Sequence, residues 1–132
     1  MNNAFQRPQD AYLTNSVMTA SPVKLVTLLL DGSISAIDRG CHALSAQDLA
    51  TARKSFMKAW DIVAELRATL DQEAGGTIAS DLFELYGFVL HGVSESKTNM
   101  DSAKALEARA ILCTIRDGFH GISQCSIRQQ WR

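Results

Sequence analysis

Proline constrains this chain more than any other residue. Only Pro8 and Pro22 occur, so from Val23 onward no residue carries the ring that breaks a helix interior. Within that span apolar side chains recur at three- and four-residue spacings, and no alternating segment of useful length competes. Four such segments joined by short links predict an all-α fold: an antiparallel up-down four-helix bundle with an N-terminal extended or short helical leader.

The helices are expected at about 21–40, 45–73, 77–97 and 101–123, making 21–124 the bundle, 1–20 the leader and 125–132 a C-terminal tail. The first opens at Ser21-Pro22, where the serine oxygen can accept an orphan N–H and proline lacks the donor that would go unpaired. Leu25, Leu28, Leu29, Gly32 and Ala36 form one stripe; Val26, Leu30, Ile37 and Cys41 form a neighbouring one. That arc is wide, so this helix is expected to be the most buried. Gly40 and the polar "HALSAQD" are read as its end. The second helix opens at Ser45 with Asp48 completing an imperfect capping box, and turns Leu49, Ala52, Phe56, Ala59, Val63, Leu66 and Leu70 inward. "AGG" at Ala74 to Gly76 closes it. The third places Ile78, Leu82, Leu85, Val89 and Val93 inward, and the fourth Leu106, Ala108, Ile111, Ile115, Gly118 and Ile122. Gly87, Gly92 and Gly118 interrupt these patterns at a cost of about 1 kcal/mol each relative to alanine.

Bulk numbers narrow the function classes. With 46% apolar and 20% charged residues among 132, the chain can bury a core and is not wholly disordered. A net charge of -1 gives no drive toward nucleic acid or an anionic membrane. The longest apolar run, Leu25 to Leu30, already contains Thr27 and is far short of the ~20 residues of a membrane span. The start "MNNAFQRPQD" lacks the apolar stretch of a secretory signal. Cys41, Cys113 and Cys125, odd in number and widely spaced, favour free thiols in a reducing, cytoplasmic setting.

Catalytic constellations are missing from the sequence. His42, His91 and His120 have no glutamate at i−3 and no second histidine at i+4, so a bundle-type metal site is not expected. Gly92-Val93-Ser94 and Gly121-Ile122-Ser123 lack the closing glycine and the strand-to-helix turn of a nucleophile elbow. Cys113, in "AILCTI", is read as inert core. "EAGGT" has neither the length nor the lysine of a phosphate loop. The expected protein is not an enzyme and needs no cofactor. A non-enzymatic regulatory or phosphotransfer-type signalling bundle stands as the alternative, with His42 as the histidine of the latter, although His42 lacks the Lys-Gly that follows the reactive histidine in such domains.

Binding features are richer. Trp60 and Ile62 flank the seam set by Phe56, Ala59, Val63 and Leu66, and Tyr86 and Phe88 lie off the inward line of the third helix. Large aromatic side chains beside a seam suit an interface anchor. The leader adds Tyr12, Leu13, Val17 and Met18 with no amphipathic rhythm. A bundle with an aromatic rim and a sticky leader reads as a binder of another chain, whose amphipathic segment lies in grooves between helices.

Three blocks carry a resemblance. They are Ala11-Tyr12 with Ser16-Val17, "TASPVKLVTLLLDG" (Thr19 to Gly32) and "LDQEAGGTIASDLFELY" (Leu70 to Tyr86), with a weaker match through "IRDGFHGI" (Ile115 to Ile122). In these the chain resembles the FliS family of flagellar export chaperones. The resemblance implies a mainly monomeric cytoplasmic bundle, at most weakly dimeric, that holds the disordered carboxy-terminal segment of flagellin. It also implies the flagellar type III export apparatus and other flagellar regulators as partners. In the family that segment wraps the bundle and gains helix, and the leader folds back near it; residue for residue this gives Tyr12 and Val17 a binding role. The sequence also departs from the family. Leu30 stands where an aromatic precedes Asp-Gly, Gly87 replaces an acid, His91-Gly92 stands where two arginines would be, and Phe119 replaces a tryptophan. These changes imply a looser third helix with a different outer charge pattern.

Overall fold

The computed structural model describes the backbone of residues 21–131 and the side chains of residues 21–121. The leader, with Tyr12 and Val17, lies outside the described residues. Within them the chain forms four helices and no strand: α1 (Pro22–Ser45), α2 (Leu49–Ala68), α3 (Gln72–Asn99) and α4 (Ala103–Trp131). Each helix packs on the next, and α4 closes back on α1.

Local chemistry sets the helix ends. At α1 the Ser21 hydroxyl accepts the Lys24 N–H at 3.2 Å, with Pro22 as the first helical residue. The expected stop at Gly40 is not taken, and α1 runs on to Ser45. Gly40 is buried there, and a Cβ on it would lie 2.5 Å from Phe56 Cε1. Its missing side chain therefore serves close packing of α1 on α2, which outweighs the modest helix cost of glycine.

The caps of α2 and α3 also differ from the sequence reading. Asp48, not Ser45, caps α2 by accepting the Thr51 N–H at 3.2 Å. Asp71 then caps α3, accepting the Ala74 N–H at 3.1 Å, so the turn between them is Thr69-Leu70-Asp71 rather than "AGG". Gly76 lies inside α3 and breaks it locally at φ 56, ψ -133, a conformation open to little but glycine. Beyond that break α3 continues through Gly87 and Gly92 to a left-handed cap at Met100. Buried Ser96 accepts the Ala105 N–H at 2.8 Å and ties the end of α3 to the start of α4. The backbone of α4 stays helical past residue 123 to Trp131, through most of the segment read as tail.

The core is a single cluster in which Leu30, Ile37, Phe56, Val63, Tyr86, Val89 and Leu112 are fully enclosed. On α2 the inward line is the one the spacing gives from Ala52 to Leu66, while Leu49 at its start is exposed. On α3 the line is rotated. Val89 and Val93 are inside as the spacing gives, and Ala79, Tyr86 and Leu90 join them, whereas Ile78 (74% exposed) and Leu85 face out. On α4 the buried line is Ala105, Ala108, Leu112 and Ile115, and Leu106 is exposed. Small residues recur at the α3–α4 seam because the helices approach closely there: a Cβ on Gly92 would stand 3.0 Å from the Lys104 carbonyl oxygen.

Two arginines seven residues apart on α4 meet two aspartates seven apart on α1, in reverse order. Arg109 grips Asp38 with both Nε and Nη2, and Arg116 Nη1 reaches Asp31 at 3.4 Å. Equal spacing in opposite senses fixes α1 and α4 as antiparallel neighbours in one register.

Candidate interaction surface

Both outer grooves that flank α3 carry apolar side chains. In the α2–α3 groove, Phe56, Met57, Trp60 and Asp61 face Val93, Ser94 and Lys97 across a hollow of about 280 Å³. That volume takes one or two side chains and falls below the usual range for a small-molecule ligand. Trp60 is 41% exposed at its rim and Met57 is similarly open. In the α3–α4 groove, Leu85 and Phe88 face Ile111, with Asp81 and Glu84 along the edge. The apolar floor continues through Ala110, Thr114 and Ile115.

The residues singled out from the sequence separate here. Trp60 and Phe88 (53% exposed) are available to a partner, each in a different groove. Ile62 is half-buried on the other side of α2, where its Cδ1 lies 3.6 Å from the position of a Cβ on Gly32. It packs α1 on α2 and does not share a surface with Trp60. Tyr86 requires a correction: at 1% exposed it belongs to the core, and burial pushes its hydroxyl pKa up. Apolar residues on α3 make two neighbouring stripes, and the structure buries the one that runs through Tyr86. The same rotation turns Ile78 and Leu85 outward, so both join the exposed surface.

Sequence reasoning missed Met57, Leu85 and Ile111 as groove residues, and it missed Arg67. The Arg67 guanidinium lies over the Phe83 ring, 3.8 Å from its centroid, and its Nε is buried without a hydrogen-bond partner. Its Nη2 is 3.2 Å from where a Cβ on Gly87 would stand. The usable signal was the seven-residue interval from Trp60, which places both side chains on one face of α2.

Reactive groups are dispersed. His42 is exposed in the last turn of α1, beside Asp38, Arg39 and Asp48. His91 pairs with Glu95 at 2.9 Å on the outside of α3. Cys113 is half-buried and accepts from Arg109 Nη1 at 3.5 Å, so a cation does stand beside it, but that guanidinium is already engaged by Asp38. Burial, with Asp38 nearby, raises the Cys41 thiol pKa. Among the described residues no three His, Cys, Asp or Glu side chains converge, and no helix is long and apolar enough to cross a membrane. What this arrangement offers is two apolar grooves on either side of one helix.

Known proteins align with nearly the whole chain. The family model described as "Flagellar protein FliS" matches residues 3–126. The flagellar secretion chaperone FliS of Salmonella typhimurium is 33% identical over 119 residues, covering 89% of this chain and 88% of that protein. The flagellar secretion chaperone FliSB of Pseudomonas aeruginosa is 28% identical over 120 residues, covering 91% and 95%. FliS of Bacillus subtilis is 25% identical over 116 residues, covering 88% and 86%.

Proposed function

The chain belongs to the FliS family of flagellar secretion chaperones, and from that premise we propose that it is an export chaperone for flagellin. It binds the disordered carboxy-terminal segment of flagellin in the cytoplasm. There it prevents premature polymerisation and delivers the segment to the flagellar type III export apparatus. The family is one of chaperones rather than enzymes, and the pair of apolar grooves flanking α3 is the observation that supports a binding role here. Trp60 with Met57 anchors one groove and Leu85 with Phe88 the other. A segment that is helical only when bound can lay an apolar face into each. Ordering it costs free energy, so a large buried surface yields a complex that still releases its client. Tyr12 and Val17 of the leader contribute to binding the client.

Mixing the chain with the carboxy-terminal segment of its host's flagellin is expected to give a stoichiometric complex on gel filtration. No co-elution with any flagellin of the host sinks the reading. Trp60→Asp is expected to weaken binding about thirtyfold or more, as for a buried aromatic anchor, with the thermal melt nearly unchanged. A large fall in melting temperature instead would mean that Trp60 serves packing.

A further inference from the structure

We propose that Arg67 is the receptor for a carboxylate on the bound segment, which lies as a helix along the α2–α3 groove. Its acidic residue sits two turns from the apolar residue that fills the hollow beside Trp60. This rests on the chaperone reading and adds the chemistry of the client at one groove.

Four observations carry it. First, Arg67 has five N–H donors to satisfy, yet its Nε is buried without an acceptor. It also takes part in none of the ion pairs among the described residues. Second, the Phe83 ring holds the guanidinium plane from one face at 3.8 Å but supplies no acceptor. Third, Gly87 lies against the face of the guanidinium: a Cβ there would stand 3.2 Å from Nη2 and 3.5 Å from Cζ, so the chain places no side chain on it. Phe83 and Gly87 touch this planar fork without offering it an acceptor, and the fork itself suits a carboxylate. Fourth, Arg67 and the Trp60 hollow share one groove. Trp60 and Arg67 are seven residues apart on α2, as Gly87 and Ser94 are on α3, and Ser94 lines the hollow. At the hollow Asp61 and Lys97 carry opposite charges, and further along the groove Arg67 meets no carboxylate in an ion pair among the described residues. An acid-bearing helix complements it.

Seven residues of helix advance about 10.5 Å. A helix lying alongside α2 therefore meets both features with residues about seven apart, one acidic and one bulky and apolar.

The test uses the full chain and two synthetic peptides. One is the carboxy-terminal segment of the host's flagellin, and the other is the same segment with every Asp changed to Asn and every Glu to Gln. Titration is followed by calorimetry, with melts as controls for folding. Arg67→Gln is expected to weaken the native peptide about tenfold, or about 1.4 kcal/mol. The neutralised peptide should bind the unmodified chain about tenfold more weakly too, and should lose nothing further on Arg67→Gln. Restoring one acid seven residues from the apolar anchor should recover the affinity.

Gly87→Asp places a carboxylate beside Arg67 within the chain. It should reproduce the loss for the native peptide while raising the melting temperature, whereas Gly87→Ala should leave affinity close to the original. Additive losses in the Arg67 and peptide series, or equal affinity of Arg67→Gln for both peptides and at the original strength, overturn the proposal. So does a Gly87→Asp chain that binds as before. If the unmodified chain binds neither peptide, the chaperone reading itself falls. If it binds both equally and Arg67→Gln changes nothing, only the carboxylate site falls.

Discussion

At Gly40 a single missing methyl group sets how near the first two helices can come. A Cβ there would press on three atoms of the Phe56 ring, at 2.5, 2.7 and 2.9 Å, and that ring is fully enclosed. Alanine gains roughly 1 kcal/mol of helix propensity, but overpacking an enclosed ring costs about 1–3 kcal/mol. Gly40→Ala should therefore destabilise by up to about 2 kcal/mol and lower the melting temperature by up to several degrees. Adding Phe56→Leu, which shortens the obstructing ring, should recover part of the loss; no recovery would show that the contact is not the cause. In sequence Gly40 looked like a helix stop, because glycine is read by its backbone cost. Its use as a packing surface depends on what α2 brings opposite it, and that is tertiary information. Tyr86 was misplaced for a related reason: periodicity shows that a stripe exists but does not choose between two stripes about 100° apart.

For whole elements the sequence located the four helices well and their caps less well. Asp48 was taken as the back-reaching partner of a box opened by Ser45; the structure makes it the cap itself, and Asp71 repeats the device at α3. An aspartate with an orphan N–H three residues away on either side serves either role, so spacing alone could not separate them. The assignment has a pH consequence. The hydrogen bond from Thr51 holds the Asp48 carboxyl below the usual aspartate range. Because the folded-state value is the lower one, the stabilisation is present above the unfolded value, about pH 4. It is lost as pH falls from there through the folded one. Asp48→Asn keeps a cap acceptor without a titrating group. Between about pH 5 and pH 3 its melting temperature should fall less steeply than that of the original chain. Parallel slopes would show that the cap carries no linked proton.

Across the whole molecule the two sides of the bundle are unlike. None of the exposed large apolar side chains among the described residues lies on α1, whereas α3 carries three, Ile78, Leu85 and Phe88, and Trp60 and Met57 lie across its other groove. The α1–α4 side is instead latched by the Asp31–Arg116 and Asp38–Arg109 pairs. The sequence anticipated a wide apolar arc on α1; Leu30, Ala36 and Ile37 of that arc are buried, while Leu25, Val26, Leu28, Leu29 and Cys41 stay partly exposed. The open grooves were not legible, since they depend on which of several apolar residues neighbouring helices leave uncovered. This asymmetry separates stability from binding. Asp38→Lys breaks a pair whose side chains are substantially solvent-exposed, and such pairs are worth about 1 kcal/mol or less. It should lower the melting temperature slightly and leave affinity for the flagellin segment unchanged. Phe88→Asp removes an exposed ring that little of the fold relies on, so the melt should hold while affinity drops at least tenfold, about 1.4 kcal/mol. Measured together by thermal melts and calorimetry, the two variants should move opposite readouts. If Asp38→Lys weakens binding as much as Phe88→Asp does, the segment also reaches the α1–α4 side, and α3 is not the axis of recognition.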